Sequence, residues 1–260
     1  MDLTHFDRKQ ISLVLSGGGI KGMAHIGIIR ALNEFEIVPK SISGVSAGAL
    51  VGALYAKGLA HDEMITFFKE TPLFNYKLMT INKPGFFDSD KYMNFLLEYF
   101  PENRFAALEK KLYITTTNLE LGIPAYFDSG ELLLPLVASA ALPPVFSPVL
   151  IDEHLHADGG IMNNFPSEPV YDNGSFLIGS YTSAMGVVNA GSIKNSIQVS
   201  QRANLLLIHA NSMDKLMKVD LLFRPEGLDQ IGILDKKGID KAYLLGYEYA
   251  CKKIEKLLVS

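Results

Sequence analysis

The sequence predicts a three-layer α/β/α sandwich around a mostly parallel central sheet, and three observations predict it. Short apolar runs rich in strand formers alternate with segments of helical periodicity. Two strand-to-helix junctions are glycine turns, Ser16-Gly17-Gly18-Gly19 and Gly44-Val45-Ser46-Ala47-Gly48. Hydrophobic residues make up 48% of the 260 and charged residues 20%, the composition of a protein with a sizeable core.

The elements follow in order. Ile11–Leu15 reads as a strand ended by the first glycine turn, and 23–35 as a helix with Ala24, Ile28, Ala31, Leu32 and Phe35 on one face. A second strand at 41–43 enters the second turn. Residues 49–59 are nearly all Ala, Leu, Val and Gly, a helix apolar all round and therefore central. A short amphipathic helix is expected at 62–70 and another at 89–99, capped by Asp88 or Ser89. Strands at 112–117 and 125–128 precede a small-residue helix at 131–141, stopped by Pro143-Pro144. A strand at 154–157 delivers Asp158-Gly159-Gly160 into a turn. The tail adds strands at 176–181 and 219–223 and helices at 197–211 and 237–258. With no repeat, linker or low-complexity segment, the expectation is one domain over 1–260, its motif-bearing core at about 8–175 and its completion at 176–260.

A formal net charge of −4 provides no basic field for a phosphate backbone, so nucleic acid is not an expected partner. The lone Cys251 supports neither an intrachain disulfide nor a thiolate metal site. Residues 1–10 are rich in charge and lead into an apolar run too short for a signal-peptide core, which predicts a cytoplasmic protein. The longest apolar stretch is broken by Pro135, Pro143 and Pro144, so any membrane contact is expected to be peripheral.

Gly17-x-Gly19-x-x-Gly22 between a strand and a helix has two readings. It fits a dinucleotide fingerprint, but that motif needs an acidic residue about 20 positions on, at the end of the second strand. Here that strand ends in Ser43-Gly44-Val45-Ser46. The same backbone amides at a helix start would equally stabilise a tetrahedral oxyanion.

Gly44-x-Ser46-x-Gly48, between a strand and a buried helix, has the context of a nucleophile elbow, where the helix N-terminus favours developing negative charge. Its bland alternative is a helix N-cap. A serine nucleophile needs a base. His154, His156 and His209 follow it in the chain, but Asp158, at a strand end loosened by Gly159 and Gly160, is the better placed functional residue.

These residues resemble the patatin-like phospholipase family. The match rests on Ser16-Gly17-Gly18-Gly19-Ile20-Lys21-Gly22, Gly44-Val45-Ser46-Ala47-Gly48, Ala138-Ser139-Ala140-Ala141-Leu142-Pro143 and Asp158-Gly159-Gly160, in the family's order over roughly the first 170 residues. The resemblance implies a Ser46-Asp158 dyad, with Gly17, Gly18 and Gly19 as oxyanion hole and Lys21 at the loop's basic position. Gly22, Gly44, Gly48, Gly159 and Gly160 support the motifs. It also implies a lipid acyl hydrolase acting on phospholipid or lysophospholipid esters through an acyl-enzyme, with no metal or other cofactor. The tail beyond about residue 175 is where family members diverge, and it leaves the substrate open. A silent interaction module on the same fold and a nucleotide-binding protein are the alternatives. Phe67, Phe68, Phe74, Tyr76, Phe86 and Phe87 form either a lid or core packing, and 132–141 either lines an acyl pocket or fills the core.

Overall fold

The computed structural model describes residues 10–71, 89–171, 175–183 and 185–259. Its centre is an eight-stranded sheet. Strands β1 (Ile11–Leu15), β2 (Ser41–Val45), β3 (Lys111–Asn118), β7 (Phe176–Ser180) and β8 (Leu221–Phe223) pair in parallel in the order β3-β2-β1-β7-β8. Strands β4 (Ile123–Phe127), β5 (Val149–Ile151) and β6 (His154–Asp158) add antiparallel pairs at the β3 end.

The parallel strands β1, β2 and β7 are buried along nearly their whole length, as a doubly covered sheet requires, and their side chains alternate between two cores. Leu13 and Leu15 of β1, Ile42 of β2 and Ile178 of β7 face one core. It is shared with α1 (Met23–Glu34), α2 (Ala47–Ala56), α3 (His61–Glu70), α4 (Ser89–Tyr99), α5 (Leu133–Ser139) and α7 (Ile239–Val259). Val14, Tyr113 and Leu177 point the other way, under Phe165, Val170 and Leu216. That second layer is thin: the 165–170 segment and the C-terminal end of α6 (Ser196–Leu216). No helix among the described residues is long and apolar enough to cross a membrane.

The register at β3 positions the chemistry. Strand β4 pairs with 114–118 along one edge, so β2, paired through Val45↔Thr115, and β6, paired through Asp158↔Thr116, share the other edge end to end. Two strands that run toward each other along that edge stop at neighbouring rungs, one delivering Ser46 and the other Asp158.

Candidate active site

Ser46 lies between β2 and α2 with φ 54° and ψ −128°, a conformation that L-residues rarely adopt. The surroundings hold it there. The Ser46 N–H donates to Ser139 Oγ at 2.8 Å, and that hydroxyl donates to the Thr115 carbonyl at 2.7 Å. Every residue of α2 behind it is buried. The elbow closes this tightly only because position 48 has no side chain: a Cβ on Gly48 would lie 2.4 Å from the Leu15 carbonyl oxygen and 2.5 Å from that of Ser16. Gly22 and Gly44 lie against the same helix start, facing the Ala47 side chain and the Gly48 carbonyl.

The Ser46 hydroxyl donates to Asp158 Oδ2 at 2.6 Å, and Asp158 Oδ1 accepts from the Gly160 N–H at 2.8 Å. The carboxylate is only 4% exposed. Burial pushes its pKa up to about 6, against the lowering effect of those two hydrogen bonds. Gly159 packs against the Thr115 carbonyl, which brings the β6 end onto β3. Two of the candidate histidines are engaged elsewhere: His156 Nδ1 with the Thr116 hydroxyl and His209 Nδ1 with the Tyr181 hydroxyl, each at 2.8 Å.

Gly18 and Gly19 face the dyad across a cavity of about 150 Å³, with Met23, Leu50, Phe146, Leu205, Ile208 and Ile233 among its apolar walls. Gly19 has φ 57°, and a Cβ there would meet the Ile233 carbonyl oxygen at 2.1 Å. Gly17 lies against Ser46 and the Asn164 side chain, with Ser46 Cβ 3.2 Å from where a Cβ on Gly17 would sit, and its carbonyl accepts from the hydroxyls of Ser16, Thr182 and Ser183. Asn164, which also lines the cavity, donates to Ser183 Oγ at 3.0 Å. His25 anchors the same loop from α1. Its Nε2–H donates to the Ser16 carbonyl at 2.8 Å while Nδ1 accepts from the Ser180 hydroxyl at 2.6 Å. Full burial pushes the ring down to about 4, so it stays neutral in this role.

Lys21 departs from the expected cluster. It follows Gly19 by two positions in the 3₁₀ turn Gly19–Gly22, which at three residues per turn directs its side chain away from Gly19. It lines a neighbouring cavity with Arg202 and Asp229 instead of the one that holds the dyad. Phe67 and Phe68 are buried, Phe68 against the dyad cavity. Phe74, Tyr76, Phe86 and Phe87 lie outside the described residues. Leu133, Leu136, Val137 and Ala138 fill the core, whereas Ala140 and Leu142 reach the cavity wall. Ser139, His25 and Asn164 are functional neighbours to which no sequence expectation assigns a role. Ser139 stood inside a recognised motif, the only signal available for any of the three.

Comparison with known proteins agrees with this geometry. The sequence is 24% identical to a lysophospholipase nte1 of Aspergillus fumigatus over 96% of the chain and 18% of that protein. It is 32% identical to an uncharacterized NTE family protein of Mycobacterium bovis over 62% of the chain and 45% of that protein. The chain thus spans less than half the length of these relatives. The fold is shared with VipD from Legionella pneumophila at a TM-score of 0.56 and 16% identity, covering 95% of this chain and 67% of VipD. Residues 13–171, more than half of the chain and the stretch that carries the elbow, the glycine loop and Asp158, match the patatin-like phospholipase family, to which the chain belongs.

Proposed function

We propose that this protein is a serine hydrolase of lipid carboxylic esters, with Ser46 as nucleophile and Asp158 as its base. The observation that carries the reading is the 2.6 Å hydrogen bond from the Ser46 hydroxyl to a buried carboxylate at a strained elbow. The Ser46 oxygen bonds to the ester carbonyl carbon as its proton passes to Asp158 Oδ2. The tetrahedral oxyanion is stabilised by N–H groups of Gly18, Gly19 and Ala47, at the start of α2, where the helix dipole favours negative charge. Collapse breaks the bond to the alcohol, which leaves with the proton from Asp158. Water then attacks the acyl-serine, giving one proton to Asp158, and the fatty acid departs as that proton returns to Ser46.

A carboxyl near its ordinary pKa is a weak base for a hydroxyl. Burial of Asp158 eases that mismatch, and the apolar walls suit an acyl chain. The names of the fungal relatives make a single-chain phospholipid the first lipid to try.

The test is turnover of a short nitrophenyl ester and labelling by a fluorophosphonate. Ser46→Ala and Asp158→Asn, each shown folded by circular dichroism, should lose at least about 10³-fold in kcat. Wild-type kcat/KM should climb with pH and level off above about 6, as Asp158 gives up its proton. Turnover retained in either variant sinks the dyad. A folded wild type that neither turns over nor labels favours the silent module.

A further inference from the structure

Lys21 is the glycine-loop side chain for which the dyad has no use. The cavity it lines measures about 260 Å³ and also receives Arg202 and Gln198 from α6, together with Ser192 and Asp229. Lys21 is only 9% exposed. Burial lowers its pKa most, Asp229 pulls it back up, and Arg202 pushes it down again. Neither cation has an ion-pair partner within 4.0 Å among the described residues. Arg202 is held in place: its Nη2 donates to the Gly186 carbonyl at 3.0 Å, and Gly186 lies directly against the Asp229 carboxylate. Two cations and one carboxylate leave the cavity one positive charge in excess, beside the apolar side chains of Met185, Val188 and Ile193.

This charge adjoins the dyad. Leu205 lines both cavities, and Gly19, two residues before Lys21, faces Ser46. We propose that the Lys21–Arg202 cavity is an anion subsite for a phosphate group, occupied during turnover by the phosphodiester of the lipid whose ester lies on Ser46. The proposal rests on the acyl-hydrolase reading and names its substrate class: single-chain phospholipids over neutral acylglycerols. The guanidinium fork engages two phosphate oxygens and the ammonium adds a point charge. A neutral lipid leaves that excess positive charge without a counter-ion in the cavity, which costs affinity.

The experiment compares lysophosphatidylcholine with a monoacylglycerol of the same acyl chain, using the full chain and its Arg202→Gln and Arg202→Lys variants. In Arg202→Gln the ratio of kcat/KM for the phospholipid to that for the acylglycerol should fall about tenfold, through KM, with partial recovery in Arg202→Lys. Inorganic phosphate should compete with lysophosphatidylcholine in the wild type and lose that competition in Arg202→Gln. A ratio that stays within twofold in both variants overturns the proposal. So does phosphate that slows the acylglycerol more than the phospholipid, since the occupant is then a free ion and not a headgroup. Calorimetric titration of phosphate separates the two readings. Binding that Arg202→Gln abolishes, in a wild type inert on both lipids, keeps the anion site and removes the hydrolase.

Discussion

Two cavities flank the same 3₁₀ turn, and they are built from opposite materials. The one holding Ser46 and Asp158 is made of backbone, glycine and small or apolar side chains, with a single buried carboxylate. The one holding Lys21 brings together three charged side chains, Lys21, Arg202 and Asp229, beside apolar and small neutral residues. The first depends on main-chain positions fixed to tenths of an ångström. The second depends on charge carried at side-chain ends, and open space beside it at Gly191 lets part of its wall tolerate change. Precision of position and adjustability of charge are thus divided between the two sides of one four-residue turn.

The difference is most exposed by adding one methyl group to each side. At Gly48 a Cβ meets the carbonyl oxygens of Leu15 and Ser16, both backbone and unable to move aside. Gly48→Ala should therefore destabilise the protein by about 3 kcal/mol or more, read from the urea midpoint. At Gly191, beside Ser192 of the charged cavity, a Cβ meets nothing within 4 Å. Gly191→Ala should leave the midpoint unchanged or raise it slightly. Equal costs at the two positions would mean that the elbow is as adaptable as the loop.

A smaller effect separates function from stability on the dyad side. An acid whose folded pKa lies above its unfolded value costs stability at pH above the folded value, and that cost disappears as pH falls below the unfolded one. With Asp158 at about 6 against an ordinary 3.8, the cost is on the order of 3 kcal/mol above pH 6 and vanishes toward pH 4. The same Asp158→Asn variant expected to lose turnover should therefore be more stable than wild type at pH 7.5, by up to about 3 kcal/mol, with the gap closing near pH 4. A variant no more stable at pH 7.5 would show that the folded pKa of Asp158 is not raised above its ordinary value.

The two cavities also differ in what the sequence discloses. Strand β1, helix α2 and the pair Ser46 and Asp158 are local patterns: an apolar run, a helix without polar residues, a serine between glycines, an aspartate before two. The three-residue β5, squeezed between Pro148 and the left-handed pair Asp152 and Glu153, is too short to leave a pattern and was not expected. Helix α6 runs five residues beyond the expected end at 211, and Ser212 there bonds back to the Ile208 carbonyl. Its approach to both cavities is tertiary, so Leu205, Ile208 and Arg202 carried no local sign. His25 is equally silent and Ser139 is marked only by its motif, because hydrogen bonds to distant backbone have no sequence period.

The smallest effect lies on the charged side. Lys21 loses more to burial than the Asp229 carboxylate returns, and Arg202 adds repulsion. Methionine has a similar length and no charge to desolvate. Replacing a buried, incompletely paired ion with an apolar side chain is often neutral or stabilising. Lys21→Met should thus raise stability on the order of 1 kcal/mol, or about 2–4 °C in Tm for a chain of this size. Because the cation disfavoured by burial is the cause, the gain should be largest at low pH and shrink as Lys21 loses its proton. A lower Tm would instead mean that attraction to Asp229 outweighs the burial, and the cavity would then be a structural ion pair and not a vacancy for an anion.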